Sequence, residues 1–542
     1  MSTWDTIVVG AGSAGAVIAT RLTEDPSHRV LLIEAGGTDR KYLYRKPGMM
    51  SIMHVVPQVK KQVDWGFRTA PNQATNGRSI PYVRGKAVGG SSAVNGMVFV
   101  RGNRANYDDW AADGCPGWAF DDVLPYFKKL ESFEDGETEF RGGSGPIKVT
   151  RPDPIDPISD LFQTACAETT GCGITSDYNA GKQEGVGLFQ ASCHGGIRQS
   201  TSECYLHPNL GRPNLDLVSG ALVDRVVIEN GRATGVIYRK GGSDHTVSAS
   251  EVVICAGAVS TPPLLMRSGI GPAAHLRGLG IDVVADLPVG ENLHDHLFVP
   301  MTFIAPRGTH RGTAGHFFGG MLSHHIKGGG WYGRSVFDVV AFLKLQSSAR
   351  MPDLQIHVLP WAYPSPNRDN DHERPNVDTR TALTIQPTLI YPKSRGTITM
   401  TSKDPTVAPV IDPGYLTDTA DTQLLLDGIA LCREIMTHAS IAPELKLELH
   451  PGQEMLPWQH SLLSAMSEVF ATTQNLSQLS HQHSRLALME ERAAIARELH
   501  DSLAQSLSTQ KMQTARLRKL LEKEASATEL NDAIEQVQEG LN

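Results

Sequence analysis

Thr6-Ile7-Val8-Val9-Gly10-Ala11-Gly12-Ser13-Ala14-Gly15-Ala16-Val17-Ile18-Ala19-Thr20-Arg21-Leu22 is the stretch that decides the fold. Its first four residues are apolar and β-rich, the pattern of a parallel strand buried on both faces. Gly10, Gly12 and Gly15 follow at G-x-G-x-x-G spacing, and residues 16–22 take up a helical pattern. Arg29-Val30-Leu31-Leu32-Ile33 is a second apolar run, and it ends in Glu34. Strand, glycine turn, helix, strand and terminal acid in that order make a dinucleotide-binding βαβ unit. Gly10 permits the tight turn, Gly12 removes a side chain where backbone must approach a pyrophosphate, and Gly15 lets the helix pack closely on the strand. The helix N-terminus offers free N–H groups and a positive dipole end to the phosphates. Glu34, about 20 residues beyond the turn, is placed to accept hydrogen bonds from ribose hydroxyls. This unit alone serves nicotinamide and flavin dinucleotides alike.

The bulk properties narrow the partners. At 542 residues the chain exceeds one hydrophobic core, and roughly two to four domains are expected. The net charge is −8, with no long basic block, which argues against nucleic acid as a partner. Seven cysteines without C-x-x-C spacing fit reduced thiols better than a disulfide framework or a zinc site. The N-terminus lacks a basic region followed by an apolar core, and no apolar run reaches about 18 residues. A cytoplasmic location is the expectation.

A second glycine-rich stretch separates the cofactors. It reads Pro81-Tyr82-Val83-Arg84-Gly85-Lys86-Ala87-Val88-Gly89-Gly90-Ser91-Ser92-Ala93-Val94-Asn95-Gly96-Met97-Val98-Phe99-Val100-Arg101-Gly102-Asn103. Gly89-Gly90-Ser91-Ser92 would turn backbone N–H groups toward an anionic or carbonyl-rich ligand. The whole stretch closely resembles the first signature of the glucose–methanol–choline (GMC) oxidoreductases, FAD-dependent alcohol dehydrogenases and oxidases. Gly257-Ala258-Val259-Ser260-Thr261-Pro262-Pro263-Leu264-Leu265-Met266-Arg267-Ser268-Gly269-Ile270-Gly271-Pro272 resembles the second signature. Leu287-Pro288-Val289-Gly290-Glu291-Asn292-Leu293-His294-Asp295-His296 resembles its sequel, and Ser394-Arg395-Gly396-Thr397-Ile398-Thr399 resembles the opening of the family's C-terminal region. The resemblance covers residues 4–450, and the choline dehydrogenase-like bacterial enzymes are the nearest subgroup.

The resemblance implies an α/β FAD-binding Rossmann-like domain from residues 1–155 and 215–305. An α+β substrate domain from residues 156–214 and 306–450 goes with it. It implies that Gly10, Gly12, Gly15 and Glu34 hold the ADP part of FAD. Val88, Asn95, Gly96, Met97 and Val98 would line the flavin side through backbone atoms, and the Val223 backbone would meet the adenine. Some members attach FAD through a histidine where this chain has Val94, so the cofactor is expected to be non-covalent and the substrate a small alcohol. His294 and His296 read as signature residues near the cofactor rather than metal ligands. His324-His325 reads as a solvated loop, and Cys166 and Cys172 as core thiols.

Flavin alcohol oxidation needs a base that takes the hydroxyl proton as hydride leaves. In the family a C-terminal segment resembling H-P-x-G-T-x-x-M-G supplies it. Within residues 430–542 the nearest approach is His450-Pro451-Gly452-Gln453, which lacks the Gly-Thr and the Met-Gly. It reads as the loop preceding that segment. No catalytic residue for oxidation is assigned, and weak or absent FAD retention without detectable alcohol oxidation is expected.

From about Leu456 the composition changes. One proline (Pro457) and one late glycine (Gly540) remain, and apolar residues recur at helical spacing, as in Ile495, Leu499, Leu503 and Leu507. A long α-helical hairpin or coiled-coil tail over residues 456–542 is expected, pairing two copies into a homodimer. Glu491-Arg492-Ala493-Ala494-Ile495-Ala496-Arg497-Glu498-Leu499-His500-Asp501-Ser502-Leu503-Ala504-Gln505 closely resembles the dimerisation and phosphoacceptor helix of nitrate/nitrite-sensor-type histidine kinases. It implies His500 as phosphoacceptor and a kinase or response regulator as partner; Asp501, next in sequence, would orient or deprotonate the imidazole. No nucleotide-binding box follows, so self-phosphorylation is not expected. The alternatives to an oxidoreductase are thus a signalling module on His500 or a fusion of two partial genes without evolved function.

Overall fold

β1 (Trp4–Val9) is a central strand of a six-stranded sheet because both of its faces are apolar. Ile7 packs on one side with Ile33, Val223 and Val236, and Val8 on the other with Ala16, Ala19, Leu32 and Leu206. In this computed structural model, residues 4–75, 77–346, 348–363 and 378–451 are described. The glycine turn leads into α1 (Gly15–Leu22), and the chain returns as β2 (Val30–Glu34), parallel to β1 with Thr6 opposite Val30 and Val9 opposite Ile33. Two further parallel strands arrive from much later in the sequence. Leu215–Ser219 joins β2 and Ser243–Ile254 joins β1. Leu222–Glu229 and Arg232–Lys240 complete the sheet as an antiparallel meander.

A second sheet is antiparallel. Its order is Leu447–His450, Met301–Ile304, Ala382–Leu389, Leu354–Leu359, Val339–Leu343 and Gly185–Leu188, with Leu297–Phe298 also paired to Ala382–Leu389. Every residue of Ala382–Leu389 and Val339–Leu343 is buried, so both faces are covered. The helix Thr419–Met436 starts where the Asp418 carboxylate accepts from Ala420 N at 2.8 Å. It lies on this sheet with Gly428 against Leu354 and Pro387. The expected pairing of a Rossmann-like sheet with a mixed α and β part is therefore present. The helical tail and His500 lie outside the described residues. Pro71–Arg78 belongs to a second unit and contains one 3-10 turn, Gln73–Thr75. Among the described residues no helix is long and apolar enough to cross a membrane.

Two sequence readings need correction. His324 and His325 form the last turn of a helix, Ala314–Lys327, not a loop. Thr313 caps its start by accepting from His316 N, and Gly328 ends it with φ 71°, so the glycine run that suggested a loop is a C-terminal stop signal. His450 likewise is no loop residue, because it ends the edge strand Leu447–His450, opposite Thr302.

One buried ion cluster holds the chain where the 81–103 stretch leaves the first glycine loops. The side chains of Glu131, Arg101 and Arg141 are at most 2% exposed. Arg141 grips Glu131 in two-pronged fashion, Nε to Oε1 at 2.7 Å and Nη2 to Oε2 at 3.0 Å. Gly142 N (2.9 Å) and Arg101 Nη2 also donate to Oε1. Arg141 Nη1 reaches Asp177 at 2.9 Å, so two cations meet two carboxylates. Phe99 N donates to Gln190 O, and Arg101 N to Asn179 Oδ1, fixing the chain that follows Val98.

Candidate cofactor site

Two glycine-rich loops meet at the C-terminal end of β1. A Cβ placed on Gly15 would lie 1.8 Å from Gly10 O, and one on Gly10 would lie 2.5 Å from Cys255 O. A Cβ on Gly90 would lie 2.8 Å from the Gly12 Cα. Side chains are therefore excluded at Gly10, Gly15 and Gly90, whereas a Cβ on Gly12 would meet the Gly90 Cα at an ordinary 3.8 Å. The loops are stitched by Gly89 N to Ala11 O at 2.8 Å, Val88 N to Gly37 O at 2.9 Å and Thr201 Oγ1 to Gly12 O at 3.3 Å.

Glu34 sits at the end of β2, 6% exposed. Its Oε2 accepts from Ala11 N at 2.8 Å and its Oε1 from Gly36 N at 2.7 Å. Burial raises the carboxyl pKa above the ordinary range, opposed by these two backbone N–H groups. The carboxylate thus ties β2 to the turn after β1, and each oxygen keeps a second lone pair for a ligand hydroxyl. Ala221 N donates to the Glu34 carbonyl at 2.9 Å, which brings the segment leading to Val223 beside it. Val223 itself is buried on Leu222–Glu229, opposite Tyr238.

The remaining expected positions cluster in the second loop. Val88 and Met97 are buried, whereas Asn95 and Val98 are exposed. Met97 has φ 67°, an uncommon conformation for a large side chain. Asn95 Oδ1 accepts from Met97 N at 3.1 Å, and Ser335 Oγ donates to Gly96 O at 3.1 Å. His54 Nε2 lies 3.0 Å from Val94 O. The loops are brought together with Gly10, Gly12, Gly15 and Glu34 by one geometry, but Val223 joins only through its neighbour Ala221.

Sequence reasoning missed three supports. Gly36 lies against Lys86 and Ala87, where a Cβ would come within 2.3 Å of backbone, and its signal was the Gly36-Gly37 pair just after Glu34. Arg198 donates into the second loop through Nη1, to Asn95 O at 2.7 Å and Asn95 Oδ1 at 2.8 Å. Asp39 accepts from Ser202 Oγ, which faces Gly89, and from His207 Nε2 at 2.9 Å. Neither Arg198 nor Asp39 carried a local sequence signal.

The His207 support makes a pH prediction. Hydrogen bonds to Asp39 and then Glu203 raise the His207 pKa to about 9. A histidine pKa raised by folding stabilises fully below its ordinary value of about 6.5, and that contribution is lost as pH rises through the folded value. The melting temperature of the wild type should exceed that of His207→Gln at neutral pH. The gap should close as pH climbs past about 9. A gap that stays constant across this window would refute the assignment.

Other candidates carry less. Asp295 accepts from Tyr415 OH at 3.0 Å and lies 3.2 Å from His296 Nδ1, while His294 Nδ1 contacts its own loop at Asn292 O. Among the described residues no group of His, Cys, Asp or Glu is arranged to hold a metal. All seven cysteines are free, with Cys166 buried and Cys172 half-buried.

A mixed sheet with a parallel core whose first turn carries a glycine cradle, an acid at the end of β2 and a second glycine loop laid over the first define a dinucleotide-binding oxidoreductase. Residues 4–298 and 392–512 match family models described as GMC oxidoreductase, and the chain belongs to that family. FAD is its cofactor, and the bare backbone at Gly12 and Gly90 fits the close approach that a pyrophosphate requires. The chain is 36% identical over 462 residues to an oxygen-dependent choline dehydrogenase of Sinorhizobium fredii, covering 83% of this chain and 81% of the relative. Pyridoxine 4-oxidase from "Mesorbium loti" superposes with a TM-score of 0.72 at 27% identity, over 83% of this chain and 84% of that one. An FAD-dependent oxidoreductase from Chaetomium thermophilum gives 0.73 at 26% identity, over 84% and 85%. Residues 491–542 match a family model described as histidine kinase. The oxidoreductase match runs beyond residue 450, past the end of the sequence resemblance, and overlaps the kinase match over residues 491–512.

Proposed function

We propose that the chain holds FAD non-covalently and is built for hydride transfer from a small, choline-like alcohol. The observation that carries this is the contact of the two glycine loops, Gly12 against Gly90, on the end of β1. Gly10, Gly12, Gly15 and Glu34 would hold the ADP part, Val88 and residues 95–98 the flavin side, and the Val223 backbone the adenine. Residues 1–155 and 215–305 would form the cofactor domain and residues 156–214 and 306–450 the substrate domain. Buried Val94 offers no nucleophile for a covalent link. FAD, when bound, supplies the hydride acceptor.

The chain's own part is to orient the alcohol, exclude water and remove the hydroxyl proton. Residues 451–542 contain no H-P-x-G-T-x-x-M-G pattern, so no residue there is assigned as the base. On this reading FAD retention is weak or absent and no alcohol oxidation is detectable. The test is flavin absorbance after gel filtration, then reduction of an artificial acceptor with choline. A protein that stays yellow and turns over choline would defeat the inactive part of the reading. Seven free cysteines support a reducing, cytoplasmic setting.

The histidine kinase match favours a second reading for the tail: homodimerisation through residues 456–542 and phosphate transfer to His500 from an intact kinase. Incubation with an intact sensor kinase and ATP should label the wild type and leave His500→Gln unlabelled. Equal labelling of both would remove His500 from consideration.

A further inference from the structure

We propose that Arg198 is a positioning residue for the flavin: it fixes the turn over residues 92–97 and sets an uncompensated positive charge beside it. This rests on the reading above that places that turn on the flavin side. Arg198 ends a short hairpin, Cys193–His194 paired with Ile197–Arg198. Gly195 and Gly196 between them both have positive φ, 56° and 70°, as a two-residue primed turn requires. The backbone that carries the guanidinium is therefore fixed locally. From there Nη1 donates to Asn95 O, to Asn95 Oδ1 and, at 3.4 Å, to Ser92 O. Asn95 Oδ1 in turn accepts from the strained residue Met97. A left-handed, fully buried methionine is strained and persists only where its surroundings over-determine it. The Arg198–Asn95 link is one such constraint.

The charge is the second part. Arg101 and Arg141 are buried as well, but both lie on Glu131. Arg198 is 1% exposed and pairs with no carboxylate among the described residues, and its Nε and Nη2 have no acceptor. Burial lowers its pKa to about 10, which still leaves it a cation at neutral pH. A buried, unpaired cation is unfavourable by itself and favours any negative charge that builds up nearby. Reduction of the flavin by hydride builds such charge. The structure thus carries, next to the expected flavin turn, a standing bias toward the reduced cofactor.

Sulfite reads this bias without turnover, because it adds to oxidised flavin and leaves negative charge on the ring. The full chain, kept in saturating FAD, is titrated with sulfite as wild type, Arg198→Lys, Arg198→Gln and Arg198→Met. Circular dichroism checks the fold of each. The two neutral variants should bind sulfite about tenfold more weakly or worse, with the lysine variant within about threefold of wild type. The flavin midpoint potential of the neutral variants should become more negative. A merely structural role predicts lower melting temperatures with unchanged sulfite affinity in the flavin that stays bound, and that outcome overturns the inference. If both neutral variants fail to fold, Arg198→Lys is titrated upward in pH. A buried lysine loses its proton before an arginine does, so its sulfite affinity should fall at a pH where the wild type holds. Parallel curves would overturn the inference. A wild-type chain that takes up no FAD overturns the cofactor reading, and this inference with it.

Discussion

Gly15→Ala should give a chain that takes up no FAD and is destabilised by about 4 kcal/mol or more. The added methyl would lie 1.8 Å from Gly10 O and 3.0 Å from Gly10 C, and 3.2 Å from the Cys255 side chain. The first two obstacles are backbone in a turn that is itself pinned, since a Cβ on Gly10 would already strike Cys255 O. No rotamer change relieves the clash, so α1 must move off β1. Moving α1 breaks the packing of Ala16 and Ala19 on Val8 and displaces Ala11 N from Glu34. The control is Gly278→Ala. Gly278 is an exposed residue at the end of the helix Ala273–Gly278, with nothing near its absent Cβ. That change should leave FAD uptake alone and raise stability by about 1 kcal/mol or less. Flavin fluorescence quenching and thermal melting measure both. A Gly15→Ala chain that binds FAD like the wild type would contradict the packing described.

Glu131→Ala should be the second severe variant, costing about 3–5 kcal/mol. It strands two guanidinium groups in a site with almost no solvent. Arg141 keeps Asp177 and the face of Phe133, 3.6 Å from its guanidinium carbon, but Arg101 loses its carboxylate partner outright. Gly142 N loses its acceptor as well. The effect should reach the cofactor site, because Arg101 and Phe99 continue directly from Val98. The urea midpoint should drop, and weakened FAD binding should accompany it. Glu131→Gln should fall between, since it keeps the shape and one acceptor while removing the charge. A midpoint unchanged in Glu131→Ala would mean that the cluster contributes nothing net.

The first glycine turn and its flanking strands were legible because local spacing dictates them: Gly10, Gly12, Gly15 and Glu34 lie within one βαβ unit, where the period changes from strand to helix. The second loop was legible through its signature, yet its closure on Gly12 was not, since nothing local to Gly90 names its partner. Arg198 was silent for the same reason. Its glycine hairpin is readable, but the target of its side chain is set by tertiary packing. The second sheet was obscured by burial on both faces, which erases the alternation that would mark its strands. His324-His325 misled because a glycine run signals both a loop and a helix stop, and only the Thr313 cap upstream tells the two apart.

The pairing of β1 with Ser243–Ile254 sets an order of assembly. During synthesis the G-x-G-x-x-G turn emerges first, but Cys255, whose carbonyl backs Gly10, emerges only after most of the first half of the chain. Until then β1 has β2 as a neighbour and an open edge on its other side. Parallel pairing between such distant segments is slow, because loop closure must precede any gain from contact. A nascent chain stopped short of residue 255 should therefore display the dinucleotide motif and still fail to bind the dinucleotide. FAD uptake would then serve as a clock for the arrival of that strand.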